Sequence, residues 1–305
     1  MRALTAPYVR LTILAAAPVA LATLVGTAFG AEADCPNDGT VRFGVEPYEA
    51  AARLVPVYND LGKLIGDKIG CKVEILVTTS YNAEIEAMRA GKLEIGEFGP
   101  LGYVLAHQVA KAEAVASFSD KTGKQPDTYT ASIVTWPGSG VTALKDVAGH
   151  SFTYSDPAST SGHLFPAYGL RKAGIDPDKG VKPVYAGSHT ASFEALRNHK
   201  AEVGELNSDQ ILSAKNQGFW QEGMFVTLWQ SEPIPQDPIA VRGDLPAGFK
   251  ARLTKVLENL DLHALPEADL KILAGEGKTL VPQTDAAYDN IRDLVKTLNV
   301  DLAKL

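Results

Sequence analysis

Strand-like and helix-like segments alternate along most of this chain, and no other feature constrains its fold as strongly. Short apolar runs are each followed by a segment with apolar residues at helical spacing. The strand-like segments are Val41–Val45, Lys72–Val77, Leu93–Phe98, Ala112–Phe118, Ser151–Tyr154, Lys182–Tyr185 and Glu202–Leu206. Helix patterns cover Ala50–Ile69, His163–Ala173 and Thr190–His199, one more helix starts at a cap on Asn82, and another starts at Pro100. The alternation predicts an α/β fold with parallel sheets covered by helices on both faces.

Two further strand-like segments, which we call crossings, lie before and after the second series of strand and helix patterns. One is Tyr129–Thr135, and the other is Trp229–Val241, which three prolines interrupt. A chain that leaves one α/β unit, builds a second and returns forms two lobes with a cleft between them. We therefore predict lobe 1 from residues 36–131 plus 236–305, lobe 2 from residues 132–235, and hinges at the two crossings. The C-terminal seventy residues are expected to be mostly helical, with amphipathic patterns at Phe249–Leu260 and Ala287–Leu302. Ligands of such sheets bind outside the carboxyl ends of the strands, near helix N-termini.

The first 33 residues have the pattern of a secretory signal peptide. Arg2 and Arg10 precede an uncharged apolar run, Leu11–Val25, and small residues such as Ala28 and Gly30 follow it. A membrane anchor is the alternative, because the uncharged stretch is long enough to span a bilayer. We expect the mature protein to be exported.

Composition excludes several classes of protein. A chain of 305 residues with 45% hydrophobic side chains can bury a full core. Its net charge of −7 argues against a nucleic-acid binder, which needs a basic face for phosphates. Two cysteines are too few for a cysteine-dense scaffold or a four-cysteine zinc site.

The two cysteines each precede a predicted strand. Cys35 lies before Val41–Val45, and Cys71 lies before Lys72–Val77. If these strands are parallel neighbours, their starts share one edge of the sheet, and a disulfide is reasonable in an oxidising compartment. Two free buried thiols are the alternative.

The clearest chemical signal stands at the start of one helix. Ser159, Thr160, Ser161 and Gly162 precede an apolar helical pattern. Hydroxyl donors and unpaired backbone N–H groups converge there, and the helix dipole adds partial positive charge. This composition suits an oxyanion and needs no lysine. Ordinary N-capping by serine and threonine is the alternative.

These residues, with Asp156-Pro157 before them, resemble the substrate-binding proteins of phosphonate ABC transporters, including their phosphite and hypophosphite relatives. Further resemblances follow in order between residues 41 and 242, and several ordered matches are more specific than one motif. They are Tyr81–Arg89, Leu93–Pro100, Tyr129 with Ser132-Ile133-Val134, Gly187-Ser188-His189 and Ile234–Pro238. The stretch around Asp209 is a looser match.

The resemblance implies a two-lobed, type II-like periplasmic binding fold that closes on a phosphite, hypophosphite or small phosphonate ion and delivers it to an ABC permease in the inner membrane. It implies a monomer in the periplasm that is not an enzyme and needs no cofactor or metal. The ligand contacts expected are Tyr81, Tyr129, Ser159, Thr160, Ser161, His189, Asp209 and Asp237. The alternatives are packing for the two tyrosines, capping for His189, and a surface position or capping for the two aspartates.

The same residues allow other functions. A secreted hydrolase acting on a small phosphoester would use Ser159 or Ser161 with a histidine, but no Gly-x-Ser-x-Gly elbow surrounds either serine. A metal site could gather His189, His199, Glu205 and Asp209, although their spacing fits no helical pair. A secreted sensor without transport cannot be separated by sequence.

Overall fold

The computed structural model describes residues 1, 3, 35–273 and 277–302, so the predicted signal peptide lies almost wholly outside the described residues. Residues 33–305 belong to one compact unit. The strands are β1 Thr40–Val45, β2 Lys72–Val77, β3 Ile95–Glu97, β4 Ala112–Phe118, β5 Thr128–Tyr129, β6 Ala131–Thr135, β7 Ser151–Tyr154, β8 Lys182–Tyr185, β9 Val203–Asn207, β10 Val226–Gln230, β11 Ile234–Pro235, β12 Pro238–Arg242 and β13 Leu280–Pro282.

The helices alternate with these strands, as the sequence predicts. They are α1 Pro36–Gly39, α2 Ala51–Ile69, α3 Tyr81–Arg89, α4 Pro100–Ala110, α5 Phe165–Lys172, α6 His189–Arg197, α7 Ser208–Asn216, α8 Ala247–Leu257, α9 Glu267–Leu270 and α10 Asp289–Leu298. A π-helical turn, Thr160–Leu164, leads directly into α5. The cap of α3 is not Asn82 but Ser80, whose hydroxyl accepts a hydrogen bond from the Ala83 amide at 3.1 Å.

Two main sheets organise the molecule. The first has the order β13-β4-β12-β3-β1-β2, and the second has the order β10-β6-β9-β7-β8. The part of the chain that carries the first sheet and its helices is the six-stranded half, and the part from β6 to β10 is the five-stranded half. Both sheets contain the predicted parallel strands but also antiparallel ones, which the alternation did not predict. β12 runs antiparallel to β3 and β4, and β6 runs antiparallel to β9, because the chain crosses between the sheets and enters each one from the opposite end.

The two crossings lie side by side. The predicted strand Tyr129–Thr135 is broken at Thr130 into β5 and β6, and β5 pairs with β11 as a separate antiparallel ribbon. The Ser231 amide donates to the Ala131 carbonyl at 2.8 Å next to this ribbon. Both passages between the halves are thus joined by backbone hydrogen bonds. The predicted lobe boundaries and hinge role stay predictions.

Parallel strands bring several helix N-termini to one region. β1, β2 and β3 run in the same direction, as do β7, β8 and β9, so their carboxyl ends share an edge within each sheet. The helices that follow β2, β3, β7, β8 and β9 all start at these edges. Apolar residues of β1 and α2, such as Phe43, Leu54 and Leu61, are fully buried and anchor the six-stranded half. Among the described helices, none combines the length and the apolar character needed to cross a bilayer.

Cys35 and Cys71 form a disulfide, which confirms the prediction. β1 and β2 are parallel neighbours, with Thr40 opposite Lys72, so the two cysteines lie at the same edge. The bond ties the segment before β1 to the turn after α2.

Replacing Cys35 with Ser should lower the free energy of unfolding by about 4 kcal/mol, because the bond closes a loop with a sequence separation of 36 in the unfolded chain. Urea unfolding of the exported protein measures this. Cys71→Ser should give the same loss, and the double variant should give no further loss. Two titratable thiols in the native, unreduced protein would contradict the assignment.

Candidate functional site

A pocket of about 100 Å³ lies between the two halves. This is well below the roughly 300–1,000 Å³ of sites for drug-sized ligands, so it suits a ligand of a few heavy atoms. All eight predicted contacts line it: Tyr81, Tyr129, Ser159, Thr160, Ser161, His189, Asp209 and Asp237. The structure therefore brings together residues that lie up to 156 positions apart, although their roles toward a ligand stay predictions.

The hydroxyl-rich turn is buried and tightly built. Ser159, Thr160 and Ser161 are each at most 2% exposed. The Ser159 hydroxyl accepts a hydrogen bond from the Gly162 amide at 3.0 Å and so caps the π-helical turn. Gly162 is required because a Cβ there would lie 1.7 Å from Oγ of Ser155. π-Helical turns are rare and often occur at functional sites.

Each hydroxyl of this turn already accepts a hydrogen bond from the protein. Thr160 Oγ1 accepts from the Leu101 amide at 2.8 Å, and Ser161 Oγ accepts from Asn207 Nδ2 at 3.3 Å. A hydroxyl has one proton to donate, so these acceptor bonds help to orient the O–H groups toward other partners. The bond from Leu101, at the start of α4, also connects the six-stranded half to the five-stranded half.

Tyr81 and Tyr129 add two phenolic hydroxyls from the six-stranded side and the first crossing. Both rings are nearly buried, at 2% and 6% exposure. Burial, with nearby negative charge, raises the pKa of both tyrosines well above the usual range, so both hydroxyls keep their protons as donors.

His189 opens α6 and is held by a buried carboxylate. Its Nδ1 lies 3.0 Å from both carboxyl oxygens of Glu205, and its Nε2 lies 3.4 Å from Ser159 Oγ. Burial lowers the pKa of His189, but the charge and hydrogen bond of Glu205, together with the charges of Asp237 and Asp209, outweigh burial, and the net pKa is raised. The imidazolium form, with an N–H donor on Nε2, is thereby favoured near neutral pH.

Carboxyl groups line the pocket as well. Asp209 Oδ2 accepts from Gln236 Nε2 at 3.0 Å, and Oδ1 of Asp237 is buried with no hydrogen-bond partner. Burial raises the pKa of Asp237 well above its usual range, and the negative charges of Glu97 and Asp209 add to this. A bond from Tyr129 and the charge of His189 act in the opposite direction without cancelling it.

Sequence reasoning missed several residues of the site. Tyr48, Glu97, Asn207 and Gln236 line the pocket but were not predicted. Glu97 ends a strand immediately before the turn into α4, and a charged residue at that end of an apolar strand is a signal that could have found it. Within the described residues, no group of three or more His, Cys, Asp or Glu side chains is arranged so that it could hold a metal ion.

Cationic side chains contribute little to the pocket. Among the described residues that line it, Lys271 is the only lysine or arginine, and its side chain is exposed. Charge complementarity for an anion would therefore come from helix N-termini, hydroxyl groups and His189.

Comparison with known proteins gives a consistent result. The profile of the family described as "ABC transporter, phosphonate, periplasmic substrate-binding protein" matches residues 43–288. The phosphate-import protein PhnD of Mycolicibacterium smegmatis is 27% identical over 278 residues, which cover 83% of this chain and 84% of the relative. The probable ABC transporter phosphite binding protein PhnD1 of Prochlorococcus marinus is 23% identical over 271 residues, which cover 86% and 91%. The solved structure of this PhnD1 with methylphosphonate has a TM-score of 0.74 at 22% identity and covers 86% of this chain and 98% of that one.

Glu205→Gln should lower the pKa of His189 relative to the wild type, because the charge of Glu205, which is the largest effect that opposes burial, is then lost. An NMR titration of the imidazole ring protons measures the shift. Glu202→Gln is the matched control, since Glu202 faces His150 at 3.2 Å and should leave His189 unchanged. An unaltered His189 pKa in Glu205→Gln would contradict the pairing.

Proposed function

The chain belongs to the family of phosphonate ABC transporter periplasmic substrate-binding proteins, and from this premise we propose that it binds a small phosphorus oxyanion in the pocket between its halves. Family membership makes it the substrate-binding protein of an importer and not an enzyme, and it implies the periplasm. The hydrolase alternative is therefore set aside. The natural partner would be a permease in the inner membrane.

The observation that carries this proposal is the convergence of donors on one small pocket. Three hydroxyls at a helix start, two tyrosine hydroxyls and His189 Nε2 line it together. Helix N-termini bind anions through unpaired N–H groups and the helix dipole. Tetrahedral phosphorus oxyanions present several acceptor oxygens around one centre, and so many donors can be used at once.

The size of the pocket suits phosphite, hypophosphite or a small phosphonate, and among these its acids favour a ligand that carries a proton to share. An ionised carboxylate can only accept, so its natural partner is a P–OH or an ammonium group. Sulfate at neutral pH has neither and should be rejected. The names of the relatives, which mention phosphate, phosphite and methylphosphonate, support the phosphorus class.

Closure would follow from contacts made by both halves. The Leu101 amide of one half donates to the Thr160 hydroxyl of the other, and the Thr190 hydroxyl donates to the Glu49 carboxylate in the pocket. We expect a ligand to favour the closed state because only that state offers contacts from both sides. The paired crossings β5 and β11 would serve as the hinges between lobe 1 and lobe 2, and the protein would act as a monomer.

Calorimetry against hypophosphite, phosphite, methylphosphonate and aminomethylphosphonate, with sulfate as the negative control, tests the proposal. Stoichiometric binding of at least one phosphorus oxyanion without turnover is expected. Binding of none of them would overturn it, and release of product from small phosphoesters would revive the hydrolase alternative.

Thr160→Val should weaken ligand binding by about ten- to a hundredfold, because hydrogen bonds to charged groups contribute about 1.5–3 kcal/mol. Thr160→Ser is the matched control, since it keeps the hydroxyl that accepts from Leu101. Unchanged affinity in a folded Thr160→Val variant would refute the contact.

Phosphite affinity should fall as pH rises through the second ionisation of the ligand, because the P–OH that a carboxylate can accept is then lost. Hypophosphite stays singly charged and serves as the reference for protein groups that titrate. Asp209→Asn should reduce the discrimination against fully deprotonated ligands. If phosphite affinity is flat or rises relative to hypophosphite, the acids are structural and cleft size sets selectivity.

A further inference from the structure

Glu97 is a buried carboxyl group at the end of β3 that lines the pocket. Its side chain is 4% exposed. Oε1 accepts a hydrogen bond from the Tyr58 hydroxyl at 2.9 Å, and the Tyr48 hydroxyl lies 3.0 Å from that of Tyr58. Oε2 is buried and has no hydrogen-bond partner. Buried polar atoms are rarely left in this state, so Oε2 is a candidate for contact with a ligand.

The groups around Glu97 favour a neutral carboxyl. Those that face it are Tyr58 from α2, Tyr48 after β1, Glu84 from α3 and Asp237 before β12, and none of the four is cationic. Burial raises the pKa of Glu97 to about 7, although the bond from Tyr58 lowers it. Burial, together with the charge of Glu97, also raises the pKa of Glu84 and Asp237.

The two oxygens of Glu97 have different roles. Tyr58 donates to Oε1, which therefore behaves as the carbonyl oxygen of a carboxylic acid. A proton on the carboxyl group then resides on Oε2, the buried oxygen that has no hydrogen-bond partner. A neutral carboxylic acid in an apolar site can donate a strong hydrogen bond without adding charge.

We propose that Glu97, in the pocket of the proposed function, is a further specificity-determining residue that holds a proton on Oε2 and donates it in a hydrogen bond to a phosphorus oxygen. The ionised form would repel the same oxygen. Only the protonated form is therefore competent to bind, and ligand binding stabilises that form.

The affinity for an anion that accepts this proton should fall as pH rises. Below the pKa of Glu97, most protein molecules carry the proton on Glu97 and can donate it to the ligand. Above that pKa, the fraction of molecules that carry this proton falls as pH rises. An anion of constant charge should therefore bind more weakly as pH rises, with proton uptake on binding. For a group with a pKa of about 7, the protonated fraction falls about thirtyfold between pH 6 and pH 8.5.

Calorimetry of hypophosphite between pH 6 and pH 8.5 tests the proposal, because this ligand stays singly charged. We expect the wild-type protein to lose about tenfold or more in affinity over this range. Glu97→Gln supplies an amide N–H donor at every pH, so it should match the wild type within about threefold at pH 6 and bind more tightly than the wild type at pH 8.5. His189 titrates in both proteins. The difference between the two plots of affinity against pH therefore measures the contribution of the Glu97 proton.

Two further variants sharpen the result. Glu113→Gln is the control, because Glu113 is an exposed carboxylate that pairs with Lys250 and does not line the pocket; its dependence of affinity on pH should equal that of the wild type. Tyr58→Phe removes the bond that lowers the pKa of Glu97, so the loss of affinity should move to higher pH. This variant keeps the carboxyl group and tests the proposal even if Glu97→Gln does not fold.

The binding measurements distinguish a failure of the role of Glu97 from a failure of the proposed function. A wild-type slope retained in both Glu97→Gln and Tyr58→Phe would overturn the role of Glu97 while leaving the proposed function intact. Failure of the wild-type protein to bind any phosphorus oxyanion would instead overturn the proposed function.

Discussion

Within the described residues, the pocket between the two halves is lined by no buried lysine or arginine, and this constraint governs how the site can carry positive potential. For an anion, that potential would have to come from helix N-termini, from polar hydrogens that the protein holds in place, and from His189. The bond from the Leu101 amide to the Thr160 hydroxyl joins two such helix starts, one from each half. It orients the hydroxyl and connects the two walls of the pocket.

Sheet topology meets this constraint by collecting helix starts. Parallel strands within each sheet end at one edge, and the following helices begin there. Gly162 allows the hydroxyl-rich turn to pass Ser155 at a distance that no side chain would permit. The disulfide between Cys35 and Cys71 holds the start of β1 beside that of β2, at the edge of the sheet opposite to the one where the helix starts gather.

Protons balance the acids of the site. Burial raises the pKa values of Glu97, Asp237 and Glu84, and the charge of Glu97 raises those of Asp237 and Glu84 further. A ring of ionised carboxylates would repel the ligand, whereas neutral carboxyls can donate to it. The pocket therefore combines helix N-termini with carboxyl groups whose pKa values are raised. If it binds a phosphorus oxyanion as proposed, selectivity would depend on whether the ligand or the protein carries the shared proton.

The local sequence determined most of the strands and helices and the hydroxyl-rich helix start, because spacing and capping are properties of neighbouring residues. The disulfide also required the parallel pairing of β1 and β2, which only the tertiary structure decided. The resemblance to one family supplied the distant members of the site, from Tyr81 to Asp237. Only the tertiary structure decided the antiparallel entry of β12, the pairing of the two crossings and the place of Glu97. The bond from Tyr58 to Glu97 joins residues 39 positions apart, and the burial that keeps a proton on that carboxyl comes from packing that no local pattern encodes.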